Sequence, residues 1–191
     1  MLLPIVMLLA ADPAAWEKVT TIDGVSVEQR AVSDSKFVEL RFTTTTEKTP
    51  ESLCAAVFGD GKFDKDEPDL KSRKVLSETP DTRITHDQIT PPLVNQRDYV
   101  VKAHWAMEGS ACRMTFEATD ELAPPLAAGW IRVTKVRGSW LFEPAEGKTK
   151  LTYVVFSDPG GAIPPWIAEG SRRTLGVKWV KMIDSRGKRA R

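Results

Sequence analysis

From Gly24 onward the chain alternates apolar and polar positions. GVSVEQRAV (24–32) places Val25, Val27, Gln29 and Ala31 on one side, and FVELRFTTTT (37–46) repeats the two-residue period in β-forming residues, so both are predicted strands joined by a VSDS turn. Thr49-Pro50-Glu51-Ser52 then reads as an N-cap with proline at the first helical position, opening a short helix through LCAAVF (53–58). GDGKFDKDEPD (59–69) is acidic and nearly devoid of apolar residues, hence a loop; it has no downstream Glu ligand or flanking helix pair to make it an EF-hand. Strand patterns resume in RKVLSE, TRITHDQI, RDYVVKAHWAM, ACRMTFEAT, WIRVTKV, SWLFEP and KLTYVVF. Predicted turns at Thr79-Pro80-Asp81, Glu108-Gly109-Ser110, Arg137-Gly138-Ser139 and Glu146-Gly147 separate most of them. The exception is ELAPPLAAG (121–129), a long Pro/Ala-rich connection.

The period changes only at the end. Over 164–186, Leu175, Trp179 and Ile183 recur at helical spacing, with Gly176, Val180 and Met182 beside them. Successive short strands with tight turns imply an antiparallel meander, and a helix of that length reaches ~30 Å, enough to cross a sheet. The predicted fold class is α+β of the helix-grip kind: a curved antiparallel sheet of seven to nine strands wrapped around a long C-terminal helix. One helix does not fill such a concavity, so an internal apolar cavity is expected, and cavities of this kind take apolar ligands.

The 191 residues carry a net charge of +1, which provides no general attraction for nucleic acid. The charge is unevenly spread. From Ser171 onward eight Lys/Arg face a single acid, Asp184, and residues 187–191 form a basic tail. MLLPIVMLLAA (1–11) is too short to span a bilayer. It reads either as a signal-peptide core, implying an exported or periplasmic protein, or as a packed N-terminal segment of a cytoplasmic one. Two cysteines, Cys54 and Cys112, leave open a disulfide or two buried thiols. Residues 16–186 are expected to form one domain, monomeric.

Four motifs in order carry a family resemblance: the strand opening NQRDYV (95–100), GWIRV (129–133), Trp140 with Pro144, and SDPGGAIPPW (157–166) before the amphipathic terminal helix. Together with WEKVTTIDGVSVEQRAV at the start, they resemble a START (steroidogenic acute regulatory protein-related lipid transfer) domain of the bacterial single-domain type. The resemblance implies a phospholipid- or sterol-class ligand, transient contact with a membrane surface, and a gate at the terminal helix built from Asp158, Gly160, Gly161 and Trp166. Phosphatidylcholine transfer protein surrounds choline with aromatic residues; this chain has His86 and Val136 at positions aligned with two of them. Relatives carry an arginine where Ala103 stands, paired with a carboxylate that Asp87 matches, so the pair is expected to be missing or rebuilt from Arg132 or Lys102.

The ligand-binding candidates are therefore Arg132, Asp87, His86, Arg97, Trp105, Trp130, Tyr153 and Trp179. Arg132 interrupts an apolar strand, and a buried guanidinium needs a partner such as Asp87 or a lipid phosphate. Arg97 reads as a headgroup contact or as half of an ion pair. His86 with Asp87 and His104 with Glu117 are metal-ligand residue types, but the weight falls on polar wall positions, and no metal or other cofactor is expected. No nucleophile elbow, Cys–His arrangement or phosphate loop is present, so no catalytic residue is assigned. The alternative function is an enzyme of the same superfamily, of the cyclase or hydrolase type, acting on an apolar substrate.

Overall fold

The structure is a computed structural model, describing residues 14–59, 67–90, 95–161, 163 and 165–188. The apolar segment 1–11, most of the acidic loop (60–66) and the basic residues from 189 onward lie outside the described residues. The elements run β1 (Glu17–Ile22), β2 (Val25–Arg30), β3 (Glu39–Thr46), α1 (Pro50–Phe58), β4 (Leu70–Glu78), β5 (Thr82–Ile89), β6 (Arg97–Glu108), β7 (Ala111–Ala118), β8 (Ile131–Arg132), β9 (Lys135–Ala145), β10 (Lys148–Asp158) and α2 (Pro165–Arg186). Among the described residues nine strands form one antiparallel path in the order β1-β2-β3-β10-β9-β7-β6-β5-β4, and the short β8 pairs in parallel with the start of β6.

The predicted α1 is built as expected: the Thr49 hydroxyl accepts the Ser52 N–H at 3.2 Å, and Pro50 opens the helix. Three strand expectations are corrected. β1 is an additional strand before Gly24, paired with β2. WIRVTKV is not one strand: Ile131 and Arg132 pair with β6, and β9 begins only at Lys135. The turn expected at Arg137-Gly138-Ser139 is absent, because β9 runs straight through it. Gly138 serves packing instead. A Cβ there would meet the Phe116 ring at 2.4 Å, so the missing side chain makes room for an aromatic on the neighbouring strand.

The terminal helix lies against β2, β3 and α1, toward one side of the sheet. Val177, Val180 and Ile183 are buried there, and Gly176 allows close approach, since a Cβ would sit 2.1 Å from the Phe42 ring. Its C-terminal end is fastened: Thr46 donates to the Asp184 carboxylate at 2.5 Å, and the Thr49 N–H reaches the Lys188 carbonyl at 3.0 Å. Leu175, Trp179 and Met182 turn toward space over the central strands. Cys54 of α1 and Cys112 of β7 form a disulfide with Cα atoms 6.1 Å apart, which resolves the cysteine alternatives in favour of pairing.

Candidate ligand cavity

The space between α2 and the sheet is a cavity of about 1040 Å³. Strand alternation decides its wall, since every second side chain of a strand faces the same side. β5 turns Arg83, Thr85, Asp87 and Ile89 inward, and β6 contributes Arg97, Tyr99, Val101 and Ala103. From β10 come Tyr153, Val155 and Ser157. Trp140 stacks on Tyr153 with ring centroids 4.0 Å apart, forming an aromatic floor, and Trp179 hangs from the helix above. Burial pushes the Tyr153 and Tyr99 phenols up, so both remain protonated donors at neutral pH.

One end of the cavity holds a charge cluster. Arg73 of β4 grips Asp87 through two hydrogen bonds, 2.9 and 2.7 Å, across directly paired positions, and reaches Glu67 at 2.8 Å. Burial works against the Arg73 cation, but the hydrogen bonds and charges of Asp87 and Glu67 outweigh it and hold its pKa above the ordinary value. Glu67 is 7% exposed, and its Oε2 has no hydrogen-bond partner among the described residues. Burial therefore raises its pKa above 4.5, opposed only in part by Arg73. Such a group stabilises the fold fully below 4.5, and that contribution is lost as pH rises through the elevated folded value. Urea unfolding of wild type and Glu67→Gln should therefore diverge in favour of wild type as pH falls from 7 to about 4.5. A pH-independent difference would refute the assignment.

The strand-to-helix connection meets the cavity beside this cluster, since Tyr99 pairs with Asp87 and Arg97 with Ile89. Asp158 accepts the Gly160 N–H at 3.0 Å, closing a turn in which Gly160 (φ 65°) and Gly161 (φ 71°) both occupy the left-handed region. Ile131 packs beside them; a Cβ on either glycine would lie 3.3 or 3.2 Å from its side chain. Arg97, 2% exposed, donates from Nε to the Pro159 carbonyl at 2.6 Å, from Nη2 to the Gly160 carbonyl at 3.1 Å, and from Nη1 to the Asn95 carbonyl.

Of the sequence-derived candidates, Asp87, Arg97, Tyr153 and Trp179 line this cavity. The other four are displaced from it. His86 alternates with Asp87 and falls on the outer face, where its Nε2 lies 2.6 Å from Asp98. Arg132 joins the same buried Asp98 at 2.6 Å and donates to the Pro124 carbonyl at 3.0 Å, tying β8 and the Pro/Ala-rich connection to the sheet. It is thus an outer-face anchor, and neither it nor Lys102, which pairs with Glu121, partners Asp87. Trp105 lies beyond the cavity against Phe58, its Nε1–H bonded to the Pro80 carbonyl, while Trp130 sits under Lys71. Of the alternatives expected for Arg97, the ion pair is not formed among the described residues, since its hydrogen bonds go to carbonyls. Asp158, Gly160 and Gly161 form the turn, and the Trp166 side chain lies outside the described residues. His86 and His104 do not converge: His104 pairs with Thr82, four residues along β5 from His86, roughly 13 Å.

Sequence reasoning missed Arg73, Glu67, Tyr99 and Arg172, all of them on the wall. The alternation of inward positions on β5 and β6 would have found Tyr99 once Asp87 was placed, because the two are paired.

Residues 7–190 match the family model described as START domain. An uncharacterized protein of Pseudomonas aeruginosa is 30% identical over 158 residues, 80% of this chain and 77% of that protein. Rho GTPase-activating protein 7 of Rattus norvegicus is 27% identical over 176 residues, 89% of this chain, which spans 16% of that protein. Among solved structures, the STAR-related lipid transfer protein of Xanthomonas axonopodis superposes with a TM-score of 0.79 at 23% identity, over 89% of this chain and 97% of the other. The helix-grip sheet, the glycine turn before α2 and the match along nearly the whole chain lead to one conclusion: this chain belongs to the START domain family.

Proposed function

We propose that this protein encloses one apolar ligand of the phospholipid or sterol class beneath α2 and transfers it between membranes. The carrying observation is the 1040 Å³ cavity walled by Val101, Val155, Trp140 and Trp179. No covalent chemistry is needed. Burial of acyl chains drives uptake at ~0.8 kcal/mol per CH₂, and the exposed Lys178, Lys181 and Lys188 near the C-terminus favour anionic membranes. The disulfide fits an exported protein, in keeping with a signal peptide in residues 1–11. The decisive experiment is native mass spectrometry of protein purified from its own host, with analysis of the extract. One stoichiometric lipid supports a carrier; a bound metabolite that changes on incubation favours the enzyme alternative.

The gate is assigned to the Asp158–Gly161 turn, with α2 swinging while its far end stays fastened. Gly160→Ala and Gly161→Ala, which oppose the positive φ at about 1 kcal/mol each, should slow lipid transfer between vesicles several-fold with little change in equilibrium affinity. Trp166→Ala should do the same. Equal losses in rate and affinity would remove the turn from the gating step.

A further inference from the structure

The charges along the cavity wall are treated differently on neighbouring strands. Between β4 and β5, Arg73, Asp87 and Glu67 compensate one another. On β6, Arg97 is buried as well, yet its three hydrogen bonds all go to neutral carbonyls, and among the described residues no carboxylate reaches it. Carbonyls satisfy its N–H groups without cancelling its charge. A buried ion left without a counter-charge is costly, by far more than a hydrogen bond between neutral groups returns. Burial accordingly pushes the Arg97 pKa down, with only the neighbouring Tyr99 opposing it. Tyr99 in turn feels the positive charge of both Arg97 and Arg172, so the two guanidinium groups and this phenol share one region of the wall with Ser157.

Resting on the lipid-binding reading above, we propose that Arg97, with Tyr99 and Ser157, is the receptor for an anionic headgroup, and that the ligand is an amphiphile ending in a carboxylate or phosphate. The anion supplies the charge the carbonyls do not, and charge-assisted hydrogen bonds from guanidinium and phenol orient it. The tail then runs along the apolar wall toward Trp140 and Trp179. A neutral alcohol of equal length gains the burial term but leaves the guanidinium uncompensated.

Oleic acid and oleyl alcohol share a tail and differ in the head, so they isolate this contribution. Titration of the intact protein at pH 8, followed by its own tryptophan fluorescence, should show oleate binding roughly 10- to 100-fold more tightly than the alcohol. In Arg97→Gln the oleate affinity should fall to that of the alcohol, whose own affinity stays unchanged; Arg97→Lys should restore part of the preference. Since Arg97 also braces the turn, Tyr99→Phe, which leaves those carbonyl bonds alone, should independently reduce the preference several-fold. Millimolar inorganic phosphate that displaces oleate but not the alcohol would confirm the anion site and assign it to free anions as well as headgroups. Equal, saturable binding of both probes to wild type overturns the anion site and leaves the lipid-binding reading standing, as does a preference that survives in folded Arg97→Gln. Failure of both probes to bind overturns the anionic-amphiphile site, and native mass spectrometry of the host-purified protein then decides the lipid-binding reading separately.

Discussion

Arg73→Met is expected to lower the unfolding free energy by about 3–5 kcal/mol at neutral pH, the cost of removing one member of a buried ion cluster. Methionine retains most of the apolar stem, so the loss reports charge more than volume. What remains is worse than an empty space: Asp87 and Glu67 lie side by side in the cavity wall, and the cation between them is gone. Arg186 lies 3.9 Å from Glu67 and replaces little of a bidentate grip. Arg73→Lys should fall between, because an ammonium keeps the charge but does not reproduce both bonds to Asp87. Urea unfolding of the three proteins provides the test. A loss below about 1 kcal/mol would place the cluster in a solvated setting, where ion pairs contribute little.

That cluster also shows what the sequence discloses. The two-residue period names the strands, and the shift to helical spacing names α2, because both are local repeats. Asp87 is legible only through the family resemblance, since the two-residue period separates it from His86 without saying which of the two faces inward. Its partner is not, because Arg73 meets it through a β4–β5 register that a single stretch of chain does not encode. Arg132 misleads in the opposite way. A charged residue in an apolar strand has the same signature whether it faces a cavity or a buried aspartate outside it, and Asp98 holds it on the outer face. Gly138 misleads too, since a glycine in a strand marks a turn or a close approach, and only Phe116 on the adjacent strand distinguishes them. Arg97 is the extreme case: its partners at Pro159 and Gly160 lie 62 and 63 residues away and are backbone atoms, which carry no residue-type signal.

Removal of the disulfide by Cys54→Ala with Cys112→Ala is expected to cost about 4 kcal/mol, close to the Arg73 effect but of different origin. The bond closes a loop between residues 58 apart, and loop-closure entropy at that length gives this figure for the unfolded chain. The folded state gives reason for the bond to matter locally as well. α1 contributes Ala56, Val57 and Phe58 to the cavity wall, and the disulfide joins it to β7. Loss of the staple leaves α1 held by its packing, by the Thr49 and Ser52 contacts to Lys188, and by Arg83, which donates to the Phe58 and Gly59 carbonyls. The reduced protein should therefore unfold at lower urea while keeping a bound lipid less firmly. Thermal melts with and without reductant, run on wild type and the double alanine variant, separate the contributions: reductant should shift only the wild type. A reductant shift of the same size in the variant would mean that something other than the Cys54–Cys112 bond is responsible.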